Sequence, residues 1–214
     1  MITCYCINPN PLKQADDTAV VGLIRDNNED AYRGEVKHQV KWCSSNNLIL
    51  NVSKTKEMVL DFRRNRHHHT PLHINNSTVV KVSSTKFLGV QITEDLTWSQ
   101  NTAALVKKGH QRLHFLHRLR RAHLPFPILT MLYSGTIESV LTSCISIWAA
   151  GCKVSDWKAL QRVVRTTENI IGTSLPLVQD IAQKHCDQGN EDIHRSFSPT
   201  KWTVQAACLR QEKI

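Results

Sequence analysis

Asp16 and Asp17 are adjacent carboxylates between Ala15 and the apolar-leaning run Thr18-Ala19-Val20-Val21-Gly22. Like charges side by side repel unless a cation neutralises them, and magnesium, with its preference for hard oxygen ligands, suits that position. The same pair can stand as an exposed Asp-Asp turn. A second group of candidates is basic. Lys107, Lys108, Arg112, Arg118, Arg120 and Arg121 crowd one stretch, with His110, His114, His117 and His123 among them. Cations at that density suit phosphate contacts, which release counterions and depend steeply on salt; the alternative is a solvated helix face. His67-His68-His69 has the donor type for a transition metal. Three consecutive rings rarely face one centre, and no fourth ligand lies at suitable spacing, so the triplet reads as an exposed basic loop.

The elements that must position these groups change character along the chain. Residues 1–13 read as an irregular lead-in, because Pro9 and Pro11 oppose a regular element. Val20, Val21 and Ile24 suit a short strand over 18–24. Asn27 or Asn28 can cap a helix from about Glu29 to Ser45, with Ala31, Val36, Val40 and Cys43 at helical spacing and Asn46-Asn47 as its stop. Residues 57–62 read as a strand, and shorter strands are expected near 72–74, 78–82 and 86–92. From Trp98 to Ile171 the pattern is helical. Leu105, Leu113, Leu116 and Leu119 recur at three- or four-residue spacing, and Pro125 and Pro127 end that helix and seed the next, which runs to about Ala150. A third helix spans Ser155 to Ile171, with Ser155 as its cap and Gly172 as its stop. The expected organisation is a lead-in over 1–13, a mixed part over 14–95, a helical part over 96–174, and a polar, poorly ordered tail over 175–214.

Composition sets bounds. The 214 residues are 41% hydrophobic and 21% charged, compatible with a folded globule. Lys and Arg number 27 against 18 Asp and Glu, a net charge of +9 that favours polyanionic partners such as nucleic acid. No run of uninterrupted apolar residues approaches the roughly 18 of a membrane span, and the apolar stretch near Val140–Ala150 is broken by Thr142, Ser143 and Ser146. No membrane partner is therefore expected. The seven cysteines are odd in number and irregular in spacing, which reads as reduced thiols in an intracellular protein.

Residues 15–172 carry a run of motifs in order: Ala15-Asp16-Asp17; Trp42-Cys43 with Asn46-Asn47-Leu48, Leu50-Asn51 and Lys54-Thr55-Lys56-Glu57-Met58; Lys86-Phe87-Leu88-Gly89-Val90; and Leu96-Thr97-Trp98-Ser99 with Leu113–Arg121. In this order they resemble the back half of the reverse transcriptase of non-LTR (LINE-type) retrotransposons. The resemblance implies an α+β fold, in which a partial palm of short antiparallel strands plus one helix precedes a helical, thumb-like bundle. It also implies that Asp16 and Asp17 descend from a magnesium site. Lys54, with Lys56 beside it, would lie near a triphosphate, where an ammonium would stabilise charge on the leaving group; the alternative is a solvated turn. Phe87, Leu88 and Gly89 would form a primer grip, or equally a hairpin packing Phe87 and Leu88 into a small core. Partners implied are RNA or an RNA–DNA duplex, bound without sequence preference.

The departures from that family are as informative. Gln14 stands where the family has an aromatic residue, and only thirteen residues precede it. The fingers and the earlier palm strand with its further aspartate have no counterpart. In-line phosphoryl transfer by two metals needs carboxylates from both strands, so no polymerase activity is expected from this chain alone. A complementing polymerase fragment is the partner that could restore it. The helical segment around Leu113–Cys152 also resembles the N-terminal accessory region of the AlkB-type 2-oxoglutarate dioxygenase and tRNA methyltransferase family. Such a dioxygenase holds Fe(II) with a His-x-Asp pair and a distant His, and a methyltransferase needs a glycine-rich loop after a strand. Neither a His-x-Asp pair nor such a glycine-rich loop is expected in this chain.

Overall fold

The structure is a computed structural model that describes residues 2–4, 12–14, 17–22, 24, 27–63 and 69–195, with side chains over 18–22, 24, 27–63 and 69–188. The fold is α+β. The chain divides into two compact units, Met1–Leu96 and Thr97–Ile214.

The first unit is built on β1 (Ile2–Cys4), β2 (Leu12–Gln14) and β3 (Asp17–Val21), followed by α1 (Asp30–Ser45) and β4 (Lys56–Glu57). Next come β5 (His73–Ile74), β6 (Ser77–Thr78), β7 (Val80–Lys81), β8 (Ser84–Phe87) and β9 (Val90–Thr93). The larger sheet runs β2-β3-β1-β4-β7. Two expectations are corrected here. The lead-in contributes strands β1 and β2 in spite of Pro9 and Pro11, which fall between them. The strands are also not all antiparallel: β2–β3, β5–β6 and β8–β9 are, but β1–β3, β1–β4 and β4–β7 are parallel. β1 lies between β3 and β4 in the sheet, and the stretch joining β3 to β4 contains α1.

The apolar stripe of α1 meets the sheet through Tyr32 and Val36, which cluster with Val20, Leu72, Ile74 and Val79. Asn28 Oδ1 accepts the Asp30 N–H at 2.8 Å and so serves the start of α1. At its far end Asn47 adopts the left-handed backbone (φ 55°) expected of a stop. The expected strand over 57–62 shrinks to Lys56–Glu57, and the one over 78–82 splits into β6 and β7.

The second unit comprises α2 (Ser99–Arg121), α3 (Phe126–Tyr133), a π turn (Ser134–Glu138), α4 (Ser139–Leu141), α5 (Ile145–Trp148), a 3-10 turn (Ala149–Gly151), α6 (Val154–Ile171) and α7 (Val178–Arg195). Its core runs through Leu105, Leu113 and Leu116 of α2, Leu129 and Tyr133 of α3, and Leu160, Val163 and Val164 of α6. Gly109 lets α2 and α6 close together: a Cβ there would stand 3.1 Å from Val163 Cγ1 and 3.2 Å from Leu141 Cδ2.

The expected continuous helix to Ala150 is broken by the π turn and by the left-handed backbone of Cys144 (φ 52°). Among the described residues, Phe126–Gly151 is long and apolar enough, by length and composition, to cross a membrane (mean hydropathy 1.3), although Ser134, Thr136 and Glu138 interrupt its apolar run. Leu129, Tyr133, Ile137, Leu141 and Ile145, four residues apart, spend its buried stripe on the core of this unit.

α6 starts one residue before Ser155, so that residue is inside the helix rather than its cap. The start is served by Asp156, whose carboxylate accepts the Lys153 N–H at 3.3 Å and the Ser99 hydroxyl at 3.0 Å. Gly172 ends it with φ 84°. Val178–Arg195 is helical where a poorly ordered tail is expected from composition. Two bonds tie its approach down: Leu175 N–H to Glu168 Oε1 (2.9 Å) and Val178 N–H to Gln161 Oε1 (3.1 Å).

Candidate nucleic-acid interface

α2 is an amphipathic helix of 23 residues with no Asp or Glu in it. Its buried side is Asn101, Thr102, Leu105, Gly109, Leu113 and Leu116. At about 100° per residue, Lys107, Arg118 and Arg121 fall opposite that stripe, and Lys108 and Arg112 fall on one flank. Lys107, Lys108, Arg118 and Arg121 are exposed, and none has an ion-pair partner among the described residues. Arg112 and Arg120 are engaged within the unit. The Arg112 guanidinium donates to the Thr136 carbonyl in the π turn, and Arg120 lies 4.4 Å above the centre of the Phe126 ring.

The six predicted cations therefore do not act as one patch. Four face solvent, over a helix about 34 Å long at 1.5 Å per residue, and two fasten α2 to the segment that follows it. Arg118, Arg120 and Arg121 sit in the last turn, where cations also interact favourably with the helix dipole. Lys108 and Arg112 do not share that benefit. Like charges four residues apart cost a few tenths of a kcal/mol, and α2 has no carboxylate to offset it. A polyanion outside the helix would reverse the sign of that interaction.

Asp16 lies outside the described residues. Asp17 opens β3 and pairs with Gln14 of β2, but its side chain is also outside them. Among the described residues no three of His, Cys, Asp and Glu converge as a metal site would require. The described residues thus offer no set of ligands fitting magnesium. Lys54 closes a 3-10 turn (Val52–Lys54) with its side chain exposed; its N–H is held by Asn51 Oδ1 at 3.2 Å. Phe87 ends β8 opposite Val90, and Leu88 (φ 47°) and Gly89 (φ 89°), both left-handed, form the two-residue turn of the β8–β9 hairpin. Leu88 is 52% exposed, which corrects the alternative that it packs into a core.

His67 and His68 lie outside the described residues. His69 is not the exposed loop residue expected, since its side chain is only 10% exposed. Its Nδ1 is 2.8 Å from Glu29 Oε1, and Nε2 is buried 4.0 Å from Asp61 Oδ2. Arg33 donates to Glu29 at 2.7 Å and to the Thr70 carbonyl at 2.6 Å. Burial pushes the Glu29 carboxyl up, but the bonds from His69, Arg33 and Thr70 outweigh it and hold the group below the usual carboxylate range. Asp61 is also held low, by Arg63. A polar pocket of about 300 Å³ opens beside this network, lined by Asn27, Asp30, Arg33, His69 and Thr70. The network spans some forty positions of sequence, so no local motif announces it.

The expectation that no His-x-Asp occurs is wrong as a reading of letters: His185-Cys186-Asp187 has that spelling. It lies within α7, where residues two apart face different directions and cannot share one metal. Asp187 instead accepts from Gln183 Nε2 at 2.8 Å.

A family model described as "Alkylated DNA repair protein alkB homolog 8, N-terminal" matches residues 98–139. The match covers α2, α3 and the π turn, well short of half the chain. No curated protein and no solved structure matches. None of these comparisons returns a reverse transcriptase.

Proposed function

We propose that this chain is a non-catalytic nucleic-acid-binding protein. Its helical unit holds the phosphate backbone of RNA or an RNA–DNA duplex without reading sequence. The observation that carries this reading is α2, which bears exposed, unpaired cations and no acid over its whole length. The family match falls on the same helix, which fits an accessory module like the N-terminal region of AlkB homolog 8 rather than a catalytic domain. Titration with a labelled RNA–DNA duplex tests it. With about four phosphates neutralised, α2 by itself should account for a fall in affinity of roughly 150-fold between 50 and 200 mM salt. Replacing Lys107, Lys108, Arg118 and Arg121 by Gln should flatten that dependence. Binding that ignores salt, or is absent at 50 mM, rejects the proposal.

A second reading, a remnant of a LINE-type reverse transcriptase, is favoured by the motif order in residues 15–172 and by the antiparallel pairing of Gln14 with Asp17, the second aspartate of the dyad. On that reading Asp16 and Asp17 are vestigial, and magnesium chemistry returns only if another chain supplies fingers and the first palm strands. Primer extension on an RNA template with magnesium separates the cases. The isolated chain should add no nucleotide; addition that Asp16→Asn abolishes would establish a working polymerase instead.

A further inference from the structure

We propose that α6 carries a second contact surface for the nucleic-acid backbone, formed by Lys158, Arg162 and Arg165. The inference rests on the nucleic-acid reading above and extends it to a helix outside the family match. These residues are spaced four and three apart, so they stack on one face of α6. The opposite face, Leu160, Val163, Val164, Thr167 and Ile171, is buried, which fixes the stripe outward. From Lys158 to the end of the helix the exposed positions are these three and Asn169.

Both carboxylates of α6 are already occupied. Asp156 accepts from Ser99 and the Lys153 backbone, and Glu168 accepts the Leu175 N–H. Neither Lys158, Arg162 nor Arg165 has an ion-pair partner among the described residues. Neighbouring like charges weaken the isolated helix, so nothing inside the unit accounts for the arrangement.

The shape of the stripe selects its ligand. A small anion is held by donors that converge, whereas these cations run in line for about 10 Å along the helix. The Cβ atoms of neighbours three or four apart are about 5–6 Å from one another, and such a row matches an extended polyanion better than a point charge. Insertion into a lipid surface would want apolar residues among the cations. Between Lys158 and Asn169 the exposed positions of α6 hold none.

The test uses the full chain and the same labelled RNA–DNA duplex over a series of salt concentrations. The combined variant Lys158→Gln, Arg162→Gln, Arg165→Gln keeps good helix formers at exposed positions. Its slope of log affinity against log salt should be shallower than wild type by about 2 to 3. Its melting temperature should be unchanged. The charge-conserving variant Lys158→Arg, Arg162→Lys, Arg165→Lys should restore the wild-type slope. A wild-type slope in the Gln variant, while the α2 variant loses binding, overturns the α6 surface and leaves the α2 reading standing. Failure of the wild-type protein to bind at low salt removes both. Binding to anionic vesicles that is lost in the Gln variant, with duplex binding intact, would assign the stripe to membranes and overturn the proposal.

Discussion

The two units hold themselves together by different means. Thr97–Ile214 encloses one apolar core whose members repeat at helical spacing along α2, the broken α3–α5 stretch and α6. Met1–Leu96 has a smaller apolar cluster, supplemented by buried or half-buried polar contacts: Tyr32 to Glu57, Gln39 to Cys43, and His69 between Glu29 and Asp61. Charge divides in the same way. The first unit carries 12 Lys and Arg against 10 Asp and Glu, the second 15 against 8. A unit held by apolar packing can leave its surface cations unpaired. A unit that uses carboxylates and bases as internal fasteners has few to spare.

The largest expected effect attacks the apolar side of that contrast. Trp148 is fully buried, donates its Nε1–H to the Ser143 carbonyl at 2.8 Å, and packs against Trp157 at 5.9 Å between ring centroids. Trp148→Ala should cost the helical unit about 3–5 kcal/mol. Hydrogen exchange resolved by unit would show protection lost across α2, α3 and α6 and kept in α1. Equal loss in both units would mean that they unfold as one, and the contrast would fail. Gly109→Ala should act next. Overpacking against Val163 and Leu141 costs about 1–3 kcal/mol, while Ala gains about 1 kcal/mol of helix propensity, leaving a modest net loss in a urea melt. A net gain would show that α2 and α6 are not in tight contact at that point.

Much of the helical unit was legible in its sequence, because the 3.6-residue period needs only near neighbours. Leu105, Leu113 and Leu116 announce their stripe by spacing, and Gly172 announces its left-handed stop. The strands of the first unit are two to five residues long, too short to display alternation. Their pairing is also set by partners far away, as when Ile2 lies beside both Ala19 and Lys56. α7 was hidden by its polar composition; among its described side chains Val178 and Ala182 belong to the core, and the bonds that fix its approach come from Gln161 and Glu168. The exposed cations of α2 could be listed from the sequence. The diversion of Arg112 to Thr136 and of Arg120 to Phe126 could not, since both depend on where the next segment folds back. The α6 stripe was present at positions 158, 162 and 165, but counting charge along the chain dilutes it with Asp156 and Glu168. Only their bonds show that those two acids are spoken for.

The smallest expected effect sharpens the polar side. Glu57 is 6% exposed and accepts a bond from the Tyr32 hydroxyl at 3.1 Å. Burial raises its carboxyl above the usual range, and the Tyr32 bond and more distant cations only partly oppose that. A carboxyl raised on folding keeps its proton in the folded state at pH values where the unfolded chain has released it. Stability from this group is therefore complete below about pH 4.5 and declines as pH rises through the higher folded value. Glu57→Gln keeps an oxygen for Tyr32 and removes the charge. The variant should be more stable than wild type at neutral pH by about 1 kcal/mol, the scale of one buried polar exchange. The difference should shrink to nothing in melts below pH 4.5. A variant less stable than wild type at pH 7 would mean that the ionised carboxylate is itself a fastener, like Glu29. The first unit would then rest on buried charge more heavily than the contrast allows.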